Sequence, residues 1–427
     1  MSAGRREASK VYIIGAGLAG LSAAVALAAR GVQVELIEAS SQAGGRCRSY
    51  HDPVLDMTLD NGNHFILSGN HATFGYLRSI GAEDRVTGPA TAVLDFCDLA
   101  DGARWKIQPN DGPIPWWLLF AGRRVPGTRL AEYAALAPLV AARDDRRIAE
   151  VVACRGPLWR GLIEPFLVGA LNCAARDGAA ALAGAVLRQS LARGGRAYRT
   201  RIAHPNLSAA FIDPALAFLR ERGAQAQFGR PVRALGFSDQ GVVTLDTADG
   251  PIDVGERDCV ILATPAWVTP TLAPGVTAPD RFSPIVNAHF KIAAPANAAP
   301  MLGVIGGTAQ WIFAFADRLS VTVSAAEAIV DEDREALAGA FWRDIASVYG
   351  LGPTPPPWRI IKERRATFSA TPQQNARRPG ATTRWRNLIL AGDWTATGLP
   401  STIEGAVRSG NTAAAAALKF GGGAVLG

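Results

Sequence analysis

Sulfur and imidazole are scarce in this chain of 427 residues, which holds five cysteines and five histidines. Cys47, Cys97, Cys154, Cys173 and Cys259 are scattered without C-x-x-C spacing, which argues against a disulfide framework and a zinc site. Long hydrophobic runs are missing too. No stretch reaches the roughly 18 uninterrupted apolar residues that a spanning helix needs. Met1–Ser9 is short and polar, unlike a signal or transit peptide, so the cytoplasm is the default compartment. Only 19% of residues are charged, with a net charge of +7, but the arginines are spread out and no nucleic-acid motif accompanies them. Nucleic acid is therefore not an expected partner; an anionic membrane surface suits a basic, apolar protein better.

What the chain does have is a Gly-rich turn near its start. Lys10–Ile14 is an apolar run with β-branched residues, read as a buried parallel strand, and it leads into Gly15, Gly17 and Gly20. An Ala/Leu-rich helix follows over Leu21–Arg30. Gly15 permits the tight turn, Gly17 lets backbone approach a pyrophosphate, and Gly20 lets helix and strand pack closely. Leu18 and Ala19 lie at the helix start, whose free N–H groups and dipole favour phosphate. After Gly31, the alternating segment Val32–Glu38 forms a second strand ending in an acid. Glu38, followed by Ala39, sits where a carboxylate accepts both ribose hydroxyls, and it disfavours the extra phosphate of NADP.

Directly after that acid comes Ala39-Ser-Ser-Gln-Ala-Gly-Gly-Arg46. Gly44, Gly45 and Arg46 in this place resemble the FAD-containing amine oxidase and carotenoid desaturase superfamily. The resemblance implies FAD, with Gly44 and Gly45 bringing N–H groups to the pyrophosphate and Arg46 supplying a fork of donors. It also implies that the turn Leu59–Ile66 passes over the isoalloxazine, with Gly62 allowing close approach and Asn63 and His64 beside the reacting face. His64 is read either as a neighbour of the flavin or as a structural hydrogen-bonder.

From about Phe74 to Arg201 the pattern reads as helical with interruptions. Within it, Trp116-Trp117-Leu118-Leu119-Phe120 is followed by Arg123 and Arg124. This is either a membrane contact, with aromatics and snorkelling arginines, or a buried helix. Glu164–Asn172 and the helix near Ala179–Ala192 read as walls of an apolar cavity or as core. A helix over Ala209–Arg222 stops at Gly223. In the superfamily the next segment returns to the cofactor, with the backbone at Val232 facing adenine. Strands follow at Gly241–Thr247 and Asp253–Thr264. Ile285–Ile292, Gln310–Phe315, Leu319–Ser324 and Arg359–Thr367 alternate as an antiparallel sheet, backed by a helix near Asp331–Tyr349.

Near the C-terminus, Asn387–Asp393 is a strand ending in Gly392-Asp393, and Ser401–Gly410 opens a helix. Asp393 would accept from the ribityl chain, while Thr402, Ile403 and Ala406 aim N–H groups and dipole at the flavin pyrimidine edge. The run Gly392-Asp-Trp-Thr-Ala-Thr-Gly-Leu-Pro-Ser-Thr-Ile-Glu-Gly-Ala-Val407, with Asp60-Asn-Gly-Asn-His64 upstream, resembles the squalene-associated FAD-dependent desaturase group, save that Asn63 stands where Gln is expected.

The expected fold is α/β, a Rossmann-type FAD-binding domain (1–73, 202–268 and 380–427) interleaved with an α+β substrate domain (74–201 and 269–379) that carries an antiparallel sheet and helices. The resemblance implies removal of the hydroxyl of hydroxysqualene by hydride from reduced flavin N5, giving squalene for hopanoid synthesis. Such chemistry needs an acid at the allylic hydroxyl in a dry cavity. His64, Asp60, Glu164 and Glu404 are the candidates; Asp60 is alternatively a turn cap and Glu404 a hydrogen-bonder of the cofactor. The alternatives are a carotenoid-type desaturase running hydride the other way, and a lipid carrier on the same fold. No second nucleotide fingerprint is evident, so reducing equivalents would come from NADPH or a separate reductase. The expected location is cytoplasmic, peripheral on the inner face of the membrane.

Overall fold

Five parallel strands form the layer that carries the Gly-rich turn. In spatial order they are Gln225–Gln227, Gln33–Ile37, Lys10–Ile14, Cys259–Leu262 and Leu388–Leu390. The inner strands are apolar on both faces, with Ile13, Val260 and Ile261 fully buried, as a parallel sheet covered on both sides requires. Segments from the start, middle and end of the chain thus share one sheet. The computed structural model describes residues 9–420. The reading of Met1–Ser9 therefore falls, apart from Ser9, outside the described residues.

Two helices lie side by side next to this sheet, Leu18–Ala28 after the first strand and Ile403–Phe420 after the last. Their approach depends on Gly410, where a Cβ would meet Ser22 Oγ at 2.0 Å and Ala19 O at 2.3 Å. The helix read from the sequence as Leu21–Arg30 begins earlier and ends at Ala28.

A second, seven-stranded sheet runs Trp358–Phe368, Phe282–Phe290, Leu319–Val323, Trp311–Ala314, Met301–Ile305, Leu94–Asp98 and Arg104–Ile107. All pairs are antiparallel except Met301–Ile305 with Leu94–Asp98. Alternation sorts its faces. Val286, Ala288, Phe290, Val321 and Ile360 pack on Phe341, Trp342 and Ile345 of the helix Arg334–Tyr349, which Asp333 caps through the N–H groups of Glu335 and Ala336. Asn287, His289, Ser320 and Thr322 therefore point to the opposite side.

Two strands of this sheet, Leu94–Asp98 and Arg104–Ile107, come from the stretch read as helical. They are short, and the parallel partner of the first lies far along the chain, so local periodicity carried little of the signal. Trp116–Arg124 is likewise no regular helix. It forms two single 3-10 turns, Trp116–Leu119 and Ala121–Arg123. The residues read as cavity walls, Phe166, Leu167 and Leu171 with Ala180, Leu182, Ala183 and Leu187, are buried in the largest core cluster.

Candidate functional site

The Gly-rich turn has the geometry a dinucleotide needs. Gly15 has φ of +108°, and a Cβ there would meet Ala263 O at 2.7 Å. At Gly20 a Cβ would lie 1.9 Å from Gly15 O, so helix and turn touch only because that position is glycine. Gly17 differs: a Cβ would meet nothing within 4 Å. Its lack of a side chain leaves room beside the buried start of the helix at Leu18 and Ala19.

The second glycine pair lies against the first turn. Gly44 N–H donates to Ala16 O at 2.8 Å, and Gly44 and Gly17 form a bridge. Gly45, with φ of +56°, would bring a Cβ to 3.5 Å from Gly17 Cα. Glu38 closes the other side. Its carboxylate accepts from Ala16 N–H at 2.7 Å and Ser40 N–H at 2.8 Å, while Ala39 between them is exposed. The backbone of Glu38 and Ser40 exchanges hydrogen bonds with Gln227, Gly229 and Arg230, which brings the half-buried Val232 to the same rim.

From the far end of the sequence, Gly392 has φ of +153°, and a Cβ there would meet Trp394 Nε1 at 2.3 Å. Gly392 N–H donates to Ser409 Oγ at 2.8 Å, tying the strand end to the terminal helix. Asp393 accepts from Arg46 Nη2 at 2.8 Å, and Arg46 Nη1 donates to Ala366 O at 2.6 Å. The fork expected for pyrophosphate is thus held by protein partners in this structure. Arg378, which sequence reasoning missed, clamps the same loop. Its guanidinium donates to the carbonyls of Asp393, Trp394 and Thr395 and to Thr397 Oγ1. Burial pushes its pKa down to about 10, with Asp393 and then Asp145 opposing that, so it stays a cation at neutral pH. The Arg-Arg-Pro-Gly run at 377–380 was the only local hint of it.

The loop Asn61–His64 crosses the polar face of the second sheet. Asn61 Nδ2 reaches Glu363 Oε2 at 3.5 Å. Asn63 Nδ2 donates to Thr322 Oγ1 at 3.0 Å, which in turn donates to Asn287 Oδ1 at 2.8 Å. A Cβ on Gly62 would crowd Asn287 Nδ2 at 3.1 Å. Burial, and then the positive charge of Arg46, push the His64 imidazole down to about 4, so it is neutral at physiological pH. His64 thus lies within electrostatic reach of Arg46, while Gly62 and Asn63 rest on Asn287 and Thr322 of the second sheet.

The four candidate acids occupy different surroundings. Asp60 is buried, accepts from Ser49 Oγ at 2.6 Å and Leu207 N–H at 3.0 Å, and lies 3.9 Å from Arg318. Burial raises its pKa, against those two hydrogen bonds and Arg318. Glu404 caps another helix. It accepts from the N–H groups of Ala72 and Thr73, from Thr73 Oγ1, and from Arg408 Nε at 2.9 Å. Every lone-pair direction of Glu404 is used inside the protein. Glu164 is half-buried in the first turn of the helix Glu164–Leu171, with no hydrogen bond or ion pair among the described residues. The structure does not join it to the cradle.

The cradle suits the expected FAD on its own terms. Gly17 leaves open space at a helix start, and Asn63 Oδ1 and Ser401 Oγ are buried without a partner. Ser401 immediately precedes Thr402, whose Oγ1 accepts from Gly405 N–H at 3.0 Å and whose carbonyl accepts from Ala406 N–H. Thr402 and Ala406 are half-buried and Ile403 buried at this helix start. Such orphan polar atoms are what a heteroaromatic ring edge satisfies.

A family model described as flavin containing amine oxidoreductase matches residues 18–418. The chain is 49% identical to hydroxysqualene dehydroxylase of Zymomonas mobilis subsp. mobilis, over 96% of this chain and 99% of that protein. It is 47% identical to hydroxysqualene dehydroxylase of Sinorhizobium fredii, over 96% and 98%. Among solved structures, an oxidoreductase from Methanosarcina mazei superposes with a TM-score of 0.71 at 16% identity, covering 94% of this chain and 98% of that one, a likeness of fold. The chain therefore belongs to the flavin-containing amine oxidoreductase family, in the group of the hydroxysqualene dehydroxylases.

Proposed function

We propose that this protein is an FAD-dependent oxidoreductase that removes the hydroxyl of hydroxysqualene and releases squalene. The observation that carries this reading is near-half identity to two hydroxysqualene dehydroxylases along almost the whole length of each. Gly15, Gly17, Leu18, Ala19, Gly20, Gly44 and Gly45 would hold the pyrophosphate, Glu38 the ribose, and Asp393 with Thr402, Ile403 and Ala406 the flavin end. When bound and reduced, FAD supplies a hydride. Intact Glu38, Arg46 and Asp393 disfavour a carrier that has lost its cofactor.

The chain must supply a proton to the leaving hydroxyl and keep water away from the resulting allylic cation. Asp60 and Glu404 are engaged in internal hydrogen bonds, and His64 is a neutral imidazole at physiological pH. Glu164, the candidate without an internal hydrogen bond or ion pair among the described residues, belongs to the residues assigned to the lipid and has no contact with the cradle. Reducing equivalents come from NADPH, directly or through a reductase. Residues 1–73, 202–268 and 380–427 serve the cofactor, and 74–201 and 269–379 the lipid. Squalene would feed hopanoid synthesis from the inner membrane face, with contact around Trp116–Arg124.

The test is anaerobic incubation of the reduced holoprotein with hydroxysqualene, followed by lipid extraction and mass analysis. Squalene is the expected product. A product that has instead lost two hydrogens would identify a desaturase and overturn the reading.

A further inference from the structure

Among the described residues, eight large hydrophobic side chains are exposed, and five of them fall between positions 114 and 130. They are Ile114 (74% exposed), Trp116 (46%), Leu119 (69%), Phe120 (53%) and Leu130 (44%). Scattered single exposed residues need no explanation, but a cluster of this kind marks an interaction surface. It is built firmly. Asn110 donates to the carbonyls of Gly112 and Ile114, both at 3.0 Å, and accepts from Trp117 N–H. Trp117 turns inward and packs edge-on against Tyr133, whose hydroxyl accepts from Val125 N–H at 3.1 Å. The outward direction of its neighbours is thus fixed from below.

The charge around the cluster has one sign. Between Asp111 and Glu132 the chain holds Arg123, Arg124 and Arg129 and no acid. Asp111 itself is paired with Arg199 at 3.0 Å. The Arg123 guanidinium lies over both Trp116 and Phe120, at 5.4 and 5.8 Å from the ring centres, and these rings meet edge-on at 5.9 Å. An apolar tip beneath a cation–aromatic stack matches a lipid interface, where acyl chains lie under an anionic phosphate layer. Behind the tip, Val125 packs into the hollow at Gly161, one turn before Glu164.

We infer that the face formed by Ile114, Trp116, Leu119, Phe120 and Leu130 docks on an anionic phospholipid bilayer, with Arg123, Arg124 and Arg129 reading its charge. The turnover readouts below rest on the function proposed above; the docking does not.

Flotation of the FAD-loaded full chain with vesicles tests the docking without any substrate. Vesicles containing phosphatidylglycerol should bind at least about tenfold more tightly than pure phosphatidylcholine, and added salt should weaken binding. Each of Arg123→Gln, Arg124→Gln and Arg129→Gln should lower affinity about fivefold. The triple variant Trp116→Ser, Leu119→Ser, Phe120→Ser should stop floating while keeping its flavin absorbance. It should also keep turnover on detergent-dispersed substrate and lose it on substrate embedded in vesicles. Equal binding to both vesicle types, or flotation of the triple variant like the parent, would overturn the inference. So would a stable dimer that covers this face and ignores vesicles. Vesicle binding with no squalene formed would instead retain the docking and count against the proposed reaction.

Discussion

The Arg46 guanidinium donates to the Asp393 carboxylate at 2.8 Å, joining residues 347 positions apart. Asp393 is 8% exposed at its side chain and Arg46 37%, so this is a half-sheltered pair at the meeting point of the two chain ends. If the pair sets the shape of the cofactor cradle, Arg46→Ala and Asp393→Asn should each weaken FAD binding by about tenfold or more. The double variant should lose less than the sum, with a coupling of about 1–3 kcal/mol. Titration of apoprotein with FAD, followed by flavin fluorescence, measures all four corners of this cycle. Strict additivity would show that the two residues act separately.

Two glycines should fail in opposite ways. Gly410→Ala pushes a methyl group into Ser22 and Ala19, forces two helices apart, and should cost about 1–3 kcal/mol or more of stability. Gly17→Ala meets no protein atom within 4 Å, so the protein should fold normally and yet be purified with little flavin. Denaturation midpoints and flavin-to-protein ratios, measured side by side, distinguish the two. A stable, fully flavinylated Gly17→Ala protein would mean that the cofactor lies elsewhere.

Glu404 is assigned to structure. Glu404→Ala removes the cap of the helix His71–Ser79 and leaves Arg408 without its carboxylate, which should cost about 2–4 kcal/mol. Glu404→Gln keeps the shape and part of the hydrogen bonding. It should retain turnover and its pH profile. A Glu404→Gln protein with normal stability and no activity would return Glu404 to the list of acids.

His289 links the second sheet to pH. It is fully buried, its Nδ1 lies 2.8 Å from Ser320 Oγ, and burial, then Arg318, push its pKa from 6.5 to about 3. A base whose pKa is lowered by folding binds its proton more readily in the unfolded chain. Its contribution is therefore present above pH 6.5 and is lost as pH falls towards 3. Between pH 7 and 5 the loss should be about 2 kcal/mol from this residue, with His64 adding in the same direction. Denaturant titrations over this range should show it, and His289→Asn should flatten the slope by about one proton. An unchanged slope would contradict the assignment.

Much of the cradle was legible because its signals are local. Gly20 answers a steric demand from Gly15 and Gly392 one from Trp394, each within a few residues, whereas the crowding at Gly15 comes from the remote Ala263 and Gly17 meets no protein atom, so those two were legible through the spacing of the turn alone. Glu404 and Arg378 could not be read in the same way. The first acts on Thr73, 331 positions away, and the second on carbonyl oxygens, which have no sequence identity. Leu94–Asp98 was missed because its parallel partner is remote. The contrast between Trp117 inside and Trp116 outside turns on one inward rotation, fixed by Asn110 and Tyr133, that composition does not carry.

If both ends of the chain hold one flavin that reduces an allylic alcohol, the visible spectrum of the reduced holoprotein mixed anaerobically with hydroxysqualene, with the lipid quantified in the same sample, reports it directly. Oxidised flavin should return in step with squalene, one for one. Flavin that stays reduced in the presence of the alcohol, or squalene formed without any return of the oxidised spectrum, would contradict it.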